Sequence, residues 1–351
     1  MKNPLLHRRG ATDLGDRRTR RTLTSVGAAL AAVSLVLAGC GGQRERTPAG
    51  GEAAADGDTC TAMPGSLSIA TGNSTGVYYV LGGGLASVIS ENSDLAATAA
   101  ETGASVQNLQ QLAAGDYGLA FSLADTAADA VNGDGEFDGP QDLSALARIY
   151  DNYTHVVVRK DAGIESVADF AGKTVSTGSP KSGTEVIAQR LIEAAGLDQS
   201  DVNAQRIDLS SSTDAMKDGS IDAMVWSGGL PTAGITDLFT NAGDQVEILD
   251  ISDLEPAMKE INPVYEVSEI PADTYTGQAA VNTIATPNVL MVRNDMDNGT
   301  ACALTTMLFE HHDDLVTVHA AAEDIVVENA TPPEPITLHP GAQQAIETLQ
   351  G

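Results

Sequence analysis

The segment Ser66–Ile89, SLSIATGNSTGVYYVLGGGLASVI, constrains this chain more than any other. A short apolar run, Leu67, Ile69 and Ala70, stops at Thr71-Gly72 and is followed by the small polar turn Asn73-Ser74-Thr75-Gly76. Apolar residues then recur at helical spacing through Val77, Tyr78, Leu81, Leu85 and Ile89. That pattern predicts a buried strand, a tight turn and a helix with two tyrosines in its first turn. Backbone N–H groups at such a helix start lack intrahelical partners, and the helix dipole favours an anion above the strand end. Tyr78 and Tyr79 would add flat faces and hydroxyls. A pocket for a small polar ligand is one reading; a glycine-rich packing device of α/β proteins is the other.

The first forty residues read as a targeting segment. Arg8, Arg9, Arg17, Arg18, Arg20 and Arg21 form a basic n-region, and Val26–Leu37 an apolar h-region too short for a typical span. Leu37-Ala38-Gly39-Cys40 has the form of a bacterial lipobox, so residues 1–39 are expected to be removed and Cys40 to carry lipid. Arg20-Arg21-Thr22-Leu23 hints at twin-arginine export. Residues 40–63, poor in apolar periodicity, are expected to form a flexible tether from the membrane.

With Cys40 acylated, Cys60 and Cys302 remain in an oxidising compartment, and a disulfide between them is expected. Two free buried thiols are the alternative, which the polar stretch around Cys60 disfavours. Removing residues 1–39 takes away seven Lys/Arg and two Asp/Glu, leaving 12 basic and 46 acidic residues and a net charge of −34. Acidity of this kind excludes nucleic acid as a partner, since basic patches supply that affinity. Spread along the chain, it suits a soluble extracytoplasmic domain.

Strand-like and helix-like segments alternate: strand 67–71 and helix 76–90, strand 95–101 and helix 105–114, strand 117–122 and helix 125–131. This predicts a parallel sheet with helices on its faces. Residues 132–142, NGDGEFDGPQD, faintly resemble a calcium loop, but Phe137 occupies the glycine position and no glutamate stands twelfth, so a solvated loop is expected. Leu146–Arg159 reads as one or two strands interrupted at Asp151-Asn152, and residues 167–175 as a short helix turning into a strand. Ser176–Gly183, STGSPKSG, opens a helix over 184–195 and repeats the opening unit. Two helix starts facing each other across a cleft are what a two-lobed ligand clamp needs. A strand over 202–209, one ending near Trp226, a returning strand over 279–292, a helix over 301–315 and a last helix ending at Leu349 complete the expected elements.

No catalytic constellation is expected: His-Glu-x-x-His and a Walker lysine are missing from the sequence. His311, His312 and His319 suggest a metal, but adjacent histidines point to different faces of a helix, and no metal site is expected. Thr71, Ser74, Ser105, Ser122, Ser182 and Thr184 all fall at expected strand ends and helix starts. There they serve as N-caps, as pocket donors, or as both.

Taken in order, these segments resemble the TAXI-type solute receptors of TRAP (tripartite ATP-independent periplasmic) transporters. The likeness runs from Ser66 to Leu349. Its motifs are Thr71-Gly72, Gly76-Val77-Tyr78-Tyr79 and Leu81-Gly82-Gly83. Thr102, Ser105, Asn108-Leu109, Ala120–Asp125 and Asp169-Phe170-Ala171-Gly172-Lys173-Thr174-Val175 come next. Gly178-Ser179-Pro180, Ser182-Gly183-Thr184, Asp218-Gly219, Ile221-Asp222-Ala223, Ile270-Pro271-Ala272 with Tyr275, and Leu338-His339-Pro340-Gly341-Ala342 complete the set. The resemblance implies a type II periplasmic-binding-protein fold: two α/β lobes, 64–150 with 278–351 and 151–277, closing on a ligand cleft.

It also implies a receptor without enzymatic activity or cofactor. Such a receptor captures glutamate, glutamine, 2-oxoglutarate or a similar small acidic or amino-acid solute and hands it to a TRAP permease. The implied pocket uses Thr71, Gly72, Tyr78 and Tyr79; Ser105 and Asn108; and Ser122 and Asp125. The second lobe is implied to supply Gly178, Ser182, Gly183 and Thr184, with Trp226, Ser227 and Gly228 on the far wall. A ligand's acidic group would meet the amides at Ser182–Thr184, and an ammonium would need a carboxylate such as Asp125. Where many relatives carry glutamine shortly before that aspartate, this chain reads Phe121-Ser122-Leu123-Ala124-Asp125. A ligand-sensing lipoprotein of the same fold that signals to a sensor kinase is the alternative. A secreted serine hydrolase is a third reading, which the missing serine–histidine–acid pattern opposes.

Overall fold

The computed structural model describes residues 60–351; the expected leader 1–39, Cys40 and most of the expected tether 40–63 lie outside them, while its residues 60–63 are held by the Cys60 disulfide and by Met63 N donating to Thr300 Oγ1. In chain order the first elements are β1 (Gly65–Ala70), α1 (Val77–Asn92), β2 (Leu95–Ala100), α2 (Ser105–Ala114), β3 (Leu119–Leu123), α3 (Ala124–Asn132) and β4 (Leu143–Arg159). Then come β5 (Thr174–Ser176), α4 (Gly183–Ala194), β6 (Asn203–Gln205), α5 (Leu209–Asp218), β7 (Ala223–Gly228), α6 (Ala233–Ala242) and β8 (Val246–Ile248). The chain closes with α7 (Glu255–Ile261), β9 (Glu266–Ile270), β10 (Val281–Arg293), α8 (Asn298–Glu310), α9 (His312–Val318) and α10 (Pro340–Gln350).

The strands form one sheet in the order β2-β1-β3-β10-β4-β7-β5-β6, with β8 on β4 and β9 on β10. The parallel pairing expected from the βα alternation is present, within a sheet that is mixed as a whole. Strands joined through helices pair in parallel, β1 with β2 and β3, and β5 with β6 and β7. The long strands β4 and β10 run antiparallel to their neighbours and to each other. They lie side by side at the middle of the sheet and link its two ends. Residues 288–291 of β10 pair with β3 and residues 281–285 with β9, while β4 meets β7 through residues 153–158. The interruption expected at Asp151-Asn152 is instead a register shift opposite Pro287, whose missing N–H removes one ladder bond without ending the strand.

Apolar burial follows this division. Ile69, Leu81, Leu85, Phe121, Leu146 and Leu304 share one buried cluster, and Leu109, Ala127 and Val289 another on the same end of the sheet. Val156, Phe170, Ile187 and Tyr265 form a third, and Leu209, Met224, Leu238 and Tyr275 a fourth, at the other end. Helix α1 seats flush on the sheet because residue 82 is glycine. A Cβ there would collide with the Thr71 methyl and stand 3.4 Å from Phe121.

Two further expectations change. The strand expected over 202–209 is only Asn203–Gln205, because Asp208 Oδ1 accepts from Ser211 N at 2.8 Å and starts α5. The helix expected over 301–315 breaks at His311, the shared boundary of α8 and α9. Cys60 and Cys302 are disulfide-bonded with their Cα atoms 4.9 Å apart, fastening the beginning of the described chain to α8. Among the described residues, no helix is long and apolar enough to cross a membrane.

Candidate functional site

Five connections meet at one cavity. The turn after β1 contributes Gly72, Asn73, Gly76, Val77 and Tyr78, and the turn after β2 contributes Gly103, Ala104 and Ser105. Leu123 comes from the end of β3, Tyr150 and Asn152 from β4. Ser179, Ser182, Gly183 and Thr184 come from the turn after β5, and Trp226, Ser227 and Gly228 from the end of β7. Apart from the β4 pair, these lie at or beyond C-terminal ends of parallel strands, where α/β sheets hold ligands. The empty space amounts to about 440 Å³ with its mouth.

Three helices start here: α1, α2 and α4. Gly76 and Ala104, the residues before α1 and α2, offer no side-chain cap; at α2 Gln107 N donates to Lys181 O, and the N–H groups of Ser105 and Val106 stay open. At α4, Ser182 Oγ accepts from Glu185 N at 3.0 Å, which leaves the N–H groups of Gly183 and Thr184 open. Glycine at 183 lets this turn close on its neighbours, since a Cβ would come within 2.7 Å of Ser105 Oγ. Gly178, at φ +93°, makes the preceding bend.

A buried polar chain fixes the far wall. The Tyr78 hydroxyl donates to Asn288 Oδ1. Asn288 Nδ2 donates to Tyr150 O and to Asn152 Oδ1, each at 2.9 Å, and Asn152 Nδ2 donates to Ser227 O at 3.2 Å. Thus α1, β10, β4 and β7 are tied beneath the cavity. The Trp226 indole donates to Thr232 Oγ1 at 3.1 Å, and a Cβ at Gly76 would stand 3.3 Å from its ring. Ser227 N donates to Thr184 Oγ1 at 3.3 Å. Across the mouth, Asn73 Nδ2 donates to Ser179 Oγ at 3.2 Å and Gln107 N to Lys181 O at 3.0 Å.

Of the residues expected at the site, the structure brings Gly72, Tyr78, Ser105, Ser182, Gly183, Thr184, Trp226, Ser227 and Gly228 to the cavity wall. Six others stand elsewhere. Thr71 is fully buried and its hydroxyl donates to Ala100 O at 2.5 Å, stitching β1 to β2. Asn108 donates to Thr71 O at 2.6 Å and Phe121 O at 2.8 Å, so its amide ties strand ends together. The Ser122 hydroxyl donates to Leu123 O at 2.9 Å. Tyr79 points outward, 38% exposed, because consecutive helical residues sit about 100° apart. Gly178 shapes the bend without lining the cavity.

Asp125 is the most consequential correction. Its Oδ2 accepts from Arg190 Nη1 at 2.8 Å and from the Tyr265 hydroxyl at 2.5 Å, and its Oδ1 from Thr126 N at 2.6 Å. That carboxylate is spent on an ion pair and has no capacity for a ligand's ammonium.

Sequence reading missed Asn73, Ala104, Tyr150, Asn152 and Ser179. Asn73 and Ser179 lie in the same turns that gave the other residues, and their pairing could be guessed from those turns. Tyr150 and Asn152 sit in the middle of a strand, where no local motif marks them. The three candidate histidines do not converge: His311 Nδ1 pairs with Asp314 at 2.9 Å and His319 Nε2 with Pro231 O at 3.0 Å. Among the described residues no group of three or more His, Cys, Asp or Glu is placed to hold a metal.

The fold is similar to a solved protein from Bordetella bronchiseptica RB50, at 19% identity and a TM-score of 0.51, covering 81% of this chain and 88% of that one. It is also similar to the binding-protein component of an ABC phosphonate transporter from Pseudomonas aeruginosa. There the identity is 12%, the TM-score 0.53, and the coverage 75% of this chain and 80% of that one. At these identities the likeness is one of fold, the mixed α/β architecture of periplasmic binding proteins. A family model described as NMT1-like matches residues 69–347, from the first strand to the last helix. The chain belongs to the NMT1-like family, a family of periplasmic substrate-binding proteins.

Proposed function

We propose that this protein is a solute receptor of the TAXI type that captures a small acidic or amino-acid solute and delivers it to a TRAP permease. The observation that carries the reading is the convergence of three helix N-termini, each with open first amides, on one cavity. Such termini favour negative charge through open amides and aligned dipoles. Residues 64–150 with 278–351 and residues 151–277 are the two proposed lobes, joined through β4 and β10. Closure of the lobes would engage the contacts between Asn73 and Ser179 across the mouth. Cys40 is proposed to carry the lipid that holds the receptor at the outer face of the membrane.

Thermal melting against a panel of small acids and amino acids, 2-oxoglutarate and glutamate included, tests the reading. A ligand at a hundred times its dissociation constant stabilises by about 2.7 kcal/mol. Absence of any shift across the panel would overturn it. The phosphonate-transporter component of similar fold supports a second choice of membrane partner, an ABC permease. Co-purification with a TRAP permease or with an ABC permease decides between the two.

A further inference from the structure

None of the eighteen residues lining the cavity is Asp, Glu, Lys, Arg or His. What they offer is donors. The first amides of α1, α2 and α4 point there, and Thr184 Oγ1, which accepts from Ser227 N, keeps its own proton free. Tyr150 and Ser227 are 1% and 5% exposed, and neither hydroxyl has a partner among the described residues. Buried hydroxyls without partners are costly in a finished fold, so two at one cavity point to a partner that arrives with the ligand. Carboxylates in adjoining elements are already committed. Asp125 is bound by Arg190 and Tyr265, and Glu185 by Arg206 and by Lys181 N at 2.8 Å.

On the receptor reading above, we propose that the cavity selects organic acids that carry no ammonium group: 2-oxo, 2-hydroxy or simple carboxylic acids rather than amino acids. Open amides and the unpaired Tyr150 and Ser227 hydroxyls donate to the carboxylate and to the neighbouring oxygen. An ammonium at the same carbon would be desolvated with no anion to meet it, and a buried unpaired charge is strongly disfavoured.

Isothermal titration of the purified protein with acid pairs of the same carbon skeleton tests this: 2-oxoglutarate with glutamate, pyruvate with alanine, 4-methyl-2-oxopentanoate with leucine. The expected result is that, wherever a pair binds, the oxo acid is at least tenfold tighter. Equal or tighter binding of the amino acid overturns the inference and leaves the receptor reading standing. Binding of neither member in any pair, nor of any acid in the melting panel, overturns the receptor reading and the inference with it.

Two variants add independent readouts. Tyr150→Phe is expected to leave the melting temperature of ligand-free protein unchanged or raised while weakening the oxo acid about fivefold or more. An unchanged affinity would show that the hydroxyl does not meet the ligand. Ser227→Asp, which puts a carboxylate at the wall, is expected to narrow or reverse the preference for the oxo acid. Retention of the full preference in a folded variant would overturn the electrostatic basis of the proposal.

Discussion

Arg190 Nη1 lies 2.8 Å from Asp125 Oδ2, and Nη2 of the same guanidinium lies 2.6 Å from Asp129 Oδ2. One arginine of α4 thus holds two carboxylates of α3, with Asp125 fully buried. Helices from opposite ends of the sheet are clamped through charge, and the acid that sequence motifs assign to a ligand is part of the frame.

Replacing Arg190 by Ala leaves Asp125 buried without its partner, and breaking such a pair costs about 3–5 kcal/mol. Denaturant unfolding should show a loss of that size. Asp125→Asn should also lower stability, while the dissociation constant of a bound acid stays within a few-fold. A large loss of affinity in a variant of unchanged stability would contradict the structural role.

Tyr78 and Tyr79, neighbours in sequence, should behave oppositely. Tyr78→Phe strands the Asn288 side-chain oxygen beneath the cavity, a cost of about 1–3 kcal/mol. Tyr78→Ala additionally removes a wall that packs on Phe121 at a ring-centroid distance of 5.2 Å, so ligand affinity should fall further. Tyr79→Ala, at an exposed position, should stay within about 0.5 kcal/mol of the parent and bind normally. Calorimetric melting with titration of each variant checks the contrast.

His155 predicts an acid-sensitive core. Tyr153 O, 2.9 Å from Nδ1, can only accept, so Nδ1 carries the proton and Nε2 accepts from the Tyr275 hydroxyl at 2.9 Å. Burial lowers its pKa from the usual 6.5 to about 4. The folded state therefore prefers neutral imidazole, and the unfolded chain takes up a proton first as pH falls. The contribution is complete above about pH 6.5 and is lost progressively toward pH 4, on the order of 3 kcal/mol. A His155→Gln variant should start less stable and show a shallower fall in melting temperature over that range. An unchanged slope would place the titration elsewhere.

The Cys60–Cys302 bond closes most of the described chain into a loop. Cys60→Ser should cost about 2–5 kcal/mol. Dithiothreitol should destabilise the parent by a similar amount and leave the variant unmoved. Equal sensitivity of both proteins would show that the bond is not the source.

Much of this protein was legible in the amino-acid order because its signals are local. Strand–turn–helix punctuation placed β1 with α1 and β5 with α4, and helix α2 over Ser105–Ala114 matches its expected span residue for residue. Those two strand–turn–helix units carry half of the cavity wall, and Cys60 pairs with Cys302 as compartment and count suggested. Side-chain direction was not local. Whether Asn108 faces a ligand or the carbonyls of Thr71 and Phe121 depends on how α2 lies across two strand ends. Asp125 needed Arg190, sixty-five residues away, to become an ion pair. Tyr150 and Asn152 reach the cavity because an antiparallel crossover brings mid-strand residues beneath three helix starts. Sequence alone determined which segments fold and where their ends can meet a ligand. Only tertiary structure decided which polar groups remain free to do so, because a buried donor or acceptor takes the partner that packing delivers.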